Sequence, residues 1–151
     1  MRFGVVSGKG TSRVAAGLAL LLAVLAACTS GGAEVVAPAT DWKPAAYAQE
    51  STIQLRTTAA GEGEHWFPVW LVIVGGDVYV RLGSRAAGRI EANTTNPYIA
   101  VRIAGKEFDH VKFDEAPAEA ERVAQAMADK YWSDVIVHRL SHPLTLRLRP
   151  E

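Results

Sequence analysis

The sequence is poor in several features on which small proteins often depend. Its 151 residues include a single cysteine, Cys28, so no intrachain disulfide, cysteine metal site or redox pair can form. It has no internal repeat and no long low-complexity tract, and its length allows one domain of ordinary core size but not two. Four tryptophans and four tyrosines are too few to suggest a stacking platform for bases.

The chain also lacks a net charge, with 16 basic and 16 acidic side chains. Residues 1–27 contain Arg2, Lys9 and Arg13 and no acid, so a chain that begins at position 28 carries 13 basic and 16 acidic side chains. Binding to nucleic acid requires a basic face that displaces counterions from phosphates. This slightly acidic body therefore predicts that nucleic acid is not a partner.

No pattern of histidines predicts a metal site. His138 and His142 are four apart, as in zinc-binding helical pairs, but Pro143 ends any helix there and no glutamate lies between them. His65 and His110 are isolated in the sequence. We interpret both as exposed polar residues or residues at the edge of the core.

The first 30 residues read as an export signal and not as part of the fold. A weakly basic start leads into an apolar run at 14–25, which is about the length of a signal peptide and short for a membrane span. Positions 25–28, Leu-Ala-Ala-Cys, resemble the lipobox of bacterial lipoproteins, and this resemblance implies cleavage before Cys28 and lipidation of its side chain. The alternative is an ordinary secretory signal with a chance cysteine.

These features predict three segments and a location. Residues 1–27 are predicted to be a lipoprotein signal peptide, 28–41 a flexible tether of small residues, and 42–151 the folded domain. The predicted partner of the lipidated Cys28 is the membrane, in the bacterial cell envelope. Thr29 in place of an aspartate fits sorting to the outer membrane, if the cell has one.

Hydrophobic periodicity in the mature chain predicts mostly strands. Residues 52–57 and 78–82 alternate apolar and polar side chains, while 68–74 is a continuous apolar run. Turn signals at 75–77 and 104–106 predict two hairpins, and 143–149 predicts a last strand. The order favours a mainly β (α+β) fold, a small antiparallel barrel that carries one or two helices.

Two details of packing follow from the same patterns. Phe108 is out of phase with Val111 and Phe113, and a β-bulge would restore the phase. We interpret Trp66 and Trp70 as core aromatics and not as residues that stack on a ligand.

One helix is predicted to end near residue 130. Val123, Met127 and Tyr131 are four residues apart, so they should form one apolar stripe that packs on the barrel. Residues 132–138 could form a short second helix.

The segment after the strand at 78–82 has the composition of an anion site. Residues 83–89, Gly-Ser-Arg-Ala-Ala-Gly-Arg, predict a loop that combines the Ser84 hydroxyl with Arg85 and Arg89, and Arg81 lies just upstream. Glycine lets a ligand approach the backbone and arginine binds phosphate oxygens in a bidentate way, so a phosphate is the best match. The alternative is that these arginines solvate a strand end and a loop.

The order of these motifs resembles that of the split β-barrel proteins that bind FMN or deazaflavins. This superfamily includes the pyridoxamine 5'-phosphate oxidases and the deazaflavin-dependent nitroreductases. The resemblance covers about residues 53–149, from the first strand through Pro-Val-Trp at 68–70, Tyr-Val-Arg at 79–81 and Asn96-Pro97 to the last strand. It implies a six-stranded antiparallel split β-barrel with one or two C-terminal helices, often dimeric, with the cofactor phosphate against the loop after the third strand.

The resemblance also implies site residues. Ser84 matches a phosphate-binding hydroxyl, Arg89 matches a position that often holds lysine, and Arg56 and Thr57 match the first-strand side chains that contact the ring or phosphate. Leu82 departs from the pattern because many relatives have threonine there. The turn at 61–64 also carries two acids that would repel a phosphate.

The sequence therefore supports two hypotheses. In the first, the protein is lipid-anchored, binds FMN or a deazaflavin and supports hydride transfer by that cofactor. Its predicted cofactor-binding residues are Arg56, Thr57, Arg81, Ser84, Arg85 and Arg89.

In the second, it is a cofactor-free envelope lipoprotein that binds a small ligand, haem or a protein partner. The signal lacks a twin-arginine pair, so export is expected to deliver the chain unfolded and without cofactor, which favours the second hypothesis. Whether the protein is an enzyme stays open at this point.

Overall fold

The computed structural model describes residues 36–131 and 144–151. The predicted signal peptide, Cys28 and the predicted helix at 132–138 lie outside these residues. Within them, no helix is long and apolar enough to span a membrane. The strands are β1 (Thr52–Ala59), β2 (Gly63–Val74), β3 (Asp77–Leu82), β4 (Tyr98–Ile103), β5 (Lys106–Glu115) and β6 (Leu144–Pro150), and the α-helices are α1 (Ser84–Glu91) and α2 (Ala120–Lys130).

The six strands close into one antiparallel barrel in the order β1-β2-β3-β6-β5-β4. Gly75 and Gly76 join β2 to β3 with φ angles of 60° and 86°, as a two-residue hairpin turn of this kind requires. Ala104 and Gly105, with φ angles of 50° and 72°, join β4 to β5. The predicted six-stranded antiparallel barrel is confirmed.

Alternation along the strands places one set of side chains inside the barrel. In β1 the inward residues are Ile53, Leu55 and Thr57, and their neighbours point outward or toward the rim. The predicted bulge is also confirmed, because the pairing register of β4 and β5 shifts between Ile99 and Val101. That shift lets Phe108 and Val111 of β5 both reach the core.

Helix α2 lies against the outer face of β2 and β3. Val123 and Met127 are buried against Val72 and Tyr79, and Tyr131 packs at the edge of the same cluster. The predicted stripe is therefore confirmed.

Trp66 and Trp70 are not core residues, and the interpretation of them as core aromatics is wrong. Leu71 of β2 faces the barrel interior, so Trp70 points outward, where 37% of it is exposed and its ring stacks on Tyr131 at 4.9 Å. Trp66 is half-buried on the same outer face, and the Arg102 guanidinium lies 4.0 Å from its ring centroid.

The end of the predicted tether contacts the barrel. Val36 forms a parallel bridge with Glu107 of β5, and the N–H of Ala37 donates to the Glu107 carbonyl at 2.6 Å. Shortly after, the Trp42 ring packs edge-on against Phe108 at 5.0 Å. The backbone groups at the start of β5 are thus partly satisfied by the segment that precedes the domain.

Candidate functional site

Residues 84–91 form helix α1, so the predicted loop at 83–89 is wrong. Arginine and alanine are good helix formers, and a single glycine does not prevent one helical turn from following another. Ala87 and Ile90 are buried against the barrel, which stabilises the helix by packing. Arg85 and Arg89 are four residues apart and therefore lie on one face.

That face of α1 and the end of β1 enclose a cavity of about 250 Å³. Its walls include Thr57, Arg85, Gly88 and Arg89. Thr57 is the last inward-facing residue of β1 that is buried, with 2% of its surface exposed. The cavity thus combines one hydroxyl group with two guanidinium groups.

A second cavity, of about 310 Å³, adjoins the first. It is lined by His65, Phe67 and Ala86 together with the same two arginines, Arg85 and Arg89. The two cavities are also joined through the sheet, since Thr57 of β1 is the direct pairing partner of His65 in β2. We call both cavities together the α1 groove. Its principal side chains are Thr57, Glu62, His65, Phe67, Arg85 and Arg89.

The groove carries a positive charge that one acid partly offsets. The Arg89 Nη1 atom lies 3.6 Å from the Glu62 Oε2 atom, and the Glu62 side chain is 70% exposed. Arg85 makes no ion pair within residues 36–131 and 144–151. Guanidinium and hydroxyl donors around one small space match the oxygens of a phosphate. The residues present therefore fit a phosphate group, with Glu62 as the competing anion predicted from the turn at 61–64.

Ser84 lies elsewhere. It precedes Arg85 by one residue, about 100° around the helix, and lines a third cavity of about 610 Å³, which shares Gly88 but neither arginine with the groove. Two carboxylates, Glu91 and Glu115, line that cavity too. The structure does not bring the Ser84 hydroxyl together with Arg89 in one space.

Arg56 and Thr57 are neighbours in sequence but point to opposite faces of β1. The Arg56 guanidinium lies on the outer face, where it contacts the Asp109 carboxylate at 3.2 Å and the Glu64 carboxylate at 3.4 Å. These acids pair with its charge on the outer face. The structure places Arg56 outside the α1 groove.

Arg81 also lies outside the groove. It is half-buried on β3, where its pairing partner is Thr145 of β6. Of the six predicted cofactor-binding residues, the groove therefore unites Thr57, Arg85 and Arg89.

Sequence reasoning missed His65 and Phe67 as groove residues. The predicted central hairpin began its first strand at Pro68, whereas β2 begins at Gly63. A longer β2 pairs with β1 across the turn, and that register alone brings His65 opposite Thr57. The alternation of His65, Phe67 and Val69 was the available signal, and the bulky tryptophan between the first two obscured it.

The described side chains with shifted pKa values lie away from the groove. Burial lowers the pKa of the Lys130 amine, which donates to the Glu50 and Leu71 carbonyls. Burial likewise raises the pKa of the Tyr131 phenol. Across the described part of the chain, no three histidine, cysteine or acidic side chains are grouped so as to hold a metal ion.

Comparisons with known proteins identify the architecture. No protein-family model and no curated protein matches the sequence. A structure of an F420-H2-dependent reductase is 15% identical with a TM-score of 0.51, and the match covers 66% of this chain and 93% of the other. HutZ, described as a haem storage protein from Vibrio cholerae, is 20% identical with a TM-score of 0.51, covering 71% and 87%.

A third structure, described as a domain-swapped dimer, is 15% identical with a TM-score of 0.51 and coverage of 66% and 79%. Identities this low establish a shared fold and nothing finer. The chain therefore has the six-stranded barrel fold of the split β-barrel proteins that its sequence resembles.

Proposed function

We propose that this protein is a lipid-anchored split-barrel protein that binds the phosphate of a flavin or deazaflavin cofactor in the α1 groove. The observation that supports the proposal is that Thr57, Arg85 and Arg89 line one small cavity. The similarity in fold to an F420-H2-dependent reductase is consistent with it.

In this proposal the protein supplies binding and orientation. Arg85 and Arg89 donate charge-assisted hydrogen bonds to the phosphate oxygens, and the Thr57 hydroxyl donates a third bond. A bound flavin or deazaflavin would supply hydride-transfer chemistry, which makes the protein a candidate oxidoreductase. In this proposal the groove residues position the ligand and are not assigned acid or base roles.

Titration of the full chain, purified in detergent, with FMN, a deazaflavin and riboflavin tests the proposal by the change in absorption. We expect FMN or the deazaflavin to bind in the micromolar range and riboflavin, which lacks the phosphate, to bind more weakly. Equal affinities for FMN and riboflavin would show that the groove does not recognise phosphate. Absence of binding by both phosphorylated ligands would remove the cofactor proposal altogether.

The membrane anchor is part of the same proposal. Lipidation of Cys28 would hold the domain at the bacterial cell envelope, and the tether would place it outside the cytoplasm. Metabolic labelling with a fatty acid that carries a click handle should tag wild type and not the Cys28→Ala variant, and equal labelling of both would contradict the anchor. A homodimer is the proposed assembly, by analogy with the domain-swapped neighbour, and light scattering of the purified chain measures it.

A second candidate function is haem binding. It is favoured by the exposed His65 imidazole, which lies in one cavity with Arg85 and Arg89. The imidazole could ligate iron while the arginines bind the propionates. Titration with haemin should then give a Soret band that His65→Ala abolishes, and a Soret band that survives this substitution would contradict the assignment.

Replacing Glu62 by Gln should strengthen phosphate binding. The substitution removes the carboxylate that lies 3.6 Å from Arg89 and competes with the ligand for that guanidinium. Because exposed ion pairs are worth about 0.2–1 kcal/mol, we expect a gain of up to about fivefold in FMN affinity. The FMN titration measures it, and weaker binding by Glu62→Gln would mean that Glu62 supports the ligand instead of opposing it.

Replacing Gly88 by Ala should change stability and binding in opposite directions. Gly88 lies inside α1 without a positive φ, and an added Cβ meets no atom within 4 Å. Alanine should therefore stabilise the fold by about 0.5–1 kcal/mol in a denaturant titration. The same methyl group narrows the cavity beside Arg89, so FMN should bind less tightly, and unchanged binding would place the phosphate away from Gly88.

A further inference from the structure

His65 and Phe67 form an aromatic pair that lines the α1 groove. They are two residues apart on β2 and therefore share its inner face. Their rings stack with centroids 6.2 Å apart and planes 22° apart. His65 is exposed. Phe67 is half-buried, because it packs against the edge of the hydrophobic core and also lines the cavity.

This aromatic pair and the Thr57 hydroxyl line the two adjoining cavities of one site. Arg85 and Arg89 line both cavities. A ligand that occupies both cavities would meet a hydroxyl in one, two stacked rings in the other and the two guanidinium groups in each. Such an arrangement suits a molecule that joins an anionic group to a planar apolar group.

The other exposed aromatic stack offers no comparable arrangement. Trp70 and Tyr131 stack on each other at the outer face of β2, and the Tyr131 hydroxyl donates to the Ser51 and Leu71 carbonyls. The arginines of the groove do not line that surface. A ring that stacked there would leave its phosphate without these partners.

We infer that Phe67, supported by His65, is the ring-binding residue of the groove, and that the ligand is a planar heteroaromatic ring joined to a phosphate that points toward Thr57. The inference rests on the proposed phosphate site and adds the orientation of the ligand within it. It assigns Phe67 to ring recognition and leaves the arginines to the phosphate.

The test compares Phe67→Leu with wild type in the full chain, using FMN and riboflavin as ligands and inorganic phosphate as a competitor. Leucine keeps an apolar side chain but loses the ring, so both flavins should bind about three- to tenfold more weakly, while the competition constant of phosphate stays the same. Phe67→Tyr keeps the ring and should restore the affinity. Trp70→Leu, on the opposite face of the same strand, is the matched control and should bind FMN as wild type does.

The Phe67→Trp variant tests the same inference by the fluorescence of bound FMN. Indole quenches flavin fluorescence on contact, so in Phe67→Trp the emission of bound FMN should fall well below that seen with wild type. If Phe67→Leu and Phe67→Trp leave FMN affinity and emission unchanged while wild type still binds FMN more tightly than riboflavin, the ring lies elsewhere and only this inference fails. If wild type binds no phosphorylated flavin, the proposed function fails as well.

Discussion

The Arg89→Ala variant should bind FMN about 30-fold more weakly than wild type, because hydrogen bonds between charged groups contribute about 1.5–3 kcal/mol each. The Arg89 side chain is only 24% exposed, so water screens its charge less than that of a surface arginine. Riboflavin has no phosphate, and its affinity should stay within about twofold of the wild-type value. The contrast between the two ligands, measured in parallel titrations, isolates the phosphate contact.

Two other arginines provide matched controls for the loss of one positive charge. Arg122 lies on α2, where it pairs with Glu119 at 2.8 Å, and Arg122→Ala should leave FMN affinity unchanged. Arg56→Ala distinguishes two placements of the Arg56 side chain. The motif resemblance places it at the cofactor, whereas the fold pairs it with Asp109 outside the groove. If Arg56→Ala weakens FMN binding as much as Arg89→Ala does, the phosphate is not held in the α1 groove.

The Asn93→Ala variant should lose about 2–4 kcal/mol of unfolding free energy. Asn93 is 5% exposed, and its Oδ1 atom accepts from the Thr58 N–H and the Thr95 hydroxyl, both at 3.0 Å. Its Nδ2 group donates to the Tyr98 carbonyl at 2.9 Å. Alanine would remove all three hydrogen bonds. It would also leave the Thr58 N–H, on a half-buried residue, without this partner, while the Thr95 hydroxyl still donates to the Tyr98 carbonyl at 2.7 Å.

The position of Asn93 gives this loss a second consequence. It follows α1 by two residues and links the end of that helix to Thr58 of β1 and Tyr98 of β4. The same substitution should therefore loosen α1 and weaken FMN binding along with stability. Denaturant titration measures the loss of stability, and an unchanged slope against denaturant concentration shows that unfolding exposes the same surface in both proteins. The flavin titration measures the loss of FMN affinity.

Asn93→Asp and Gln54→Ala complete this experiment. Aspartate keeps the acceptor oxygens but loses the donor to Tyr98, so it should also destabilise the protein. Gln54 is exposed on β1, and its replacement by alanine should change stability by less than about 0.5 kcal/mol. An Asn93→Ala loss as small as that of Gln54→Ala would mean that water replaces the amide without cost.

Several parts of the fold were predictable because they depend on neighbours in sequence. Alternation of apolar residues marks the strands, and Gly75-Gly76 marks a turn, since both signals come from backbone geometry within a few residues. The β-bulge was predictable for the same reason, because the phase of Phe108 against Val111 can be read along one strand. Helix α1 was missed because glycine and serine at 83–84 resemble a loop, while the burial of Ala87 and Ile90 that stabilises the helix comes from distant strands.

The sequence by itself determined that this protein has an antiparallel barrel with a helix on its outer face, and that the segment after the third strand is rich in arginine. Only the tertiary structure decided which of the predicted site residues lie together: it unites Thr57 with Arg85 and Arg89, adds His65 and Phe67, and separates Arg56, Arg81 and Ser84. The physical reason is directional. One step along a strand reverses the face of a side chain and one step along a helix turns it by about 100°, so residue type predicts the chemistry of a site but not which neighbours share it.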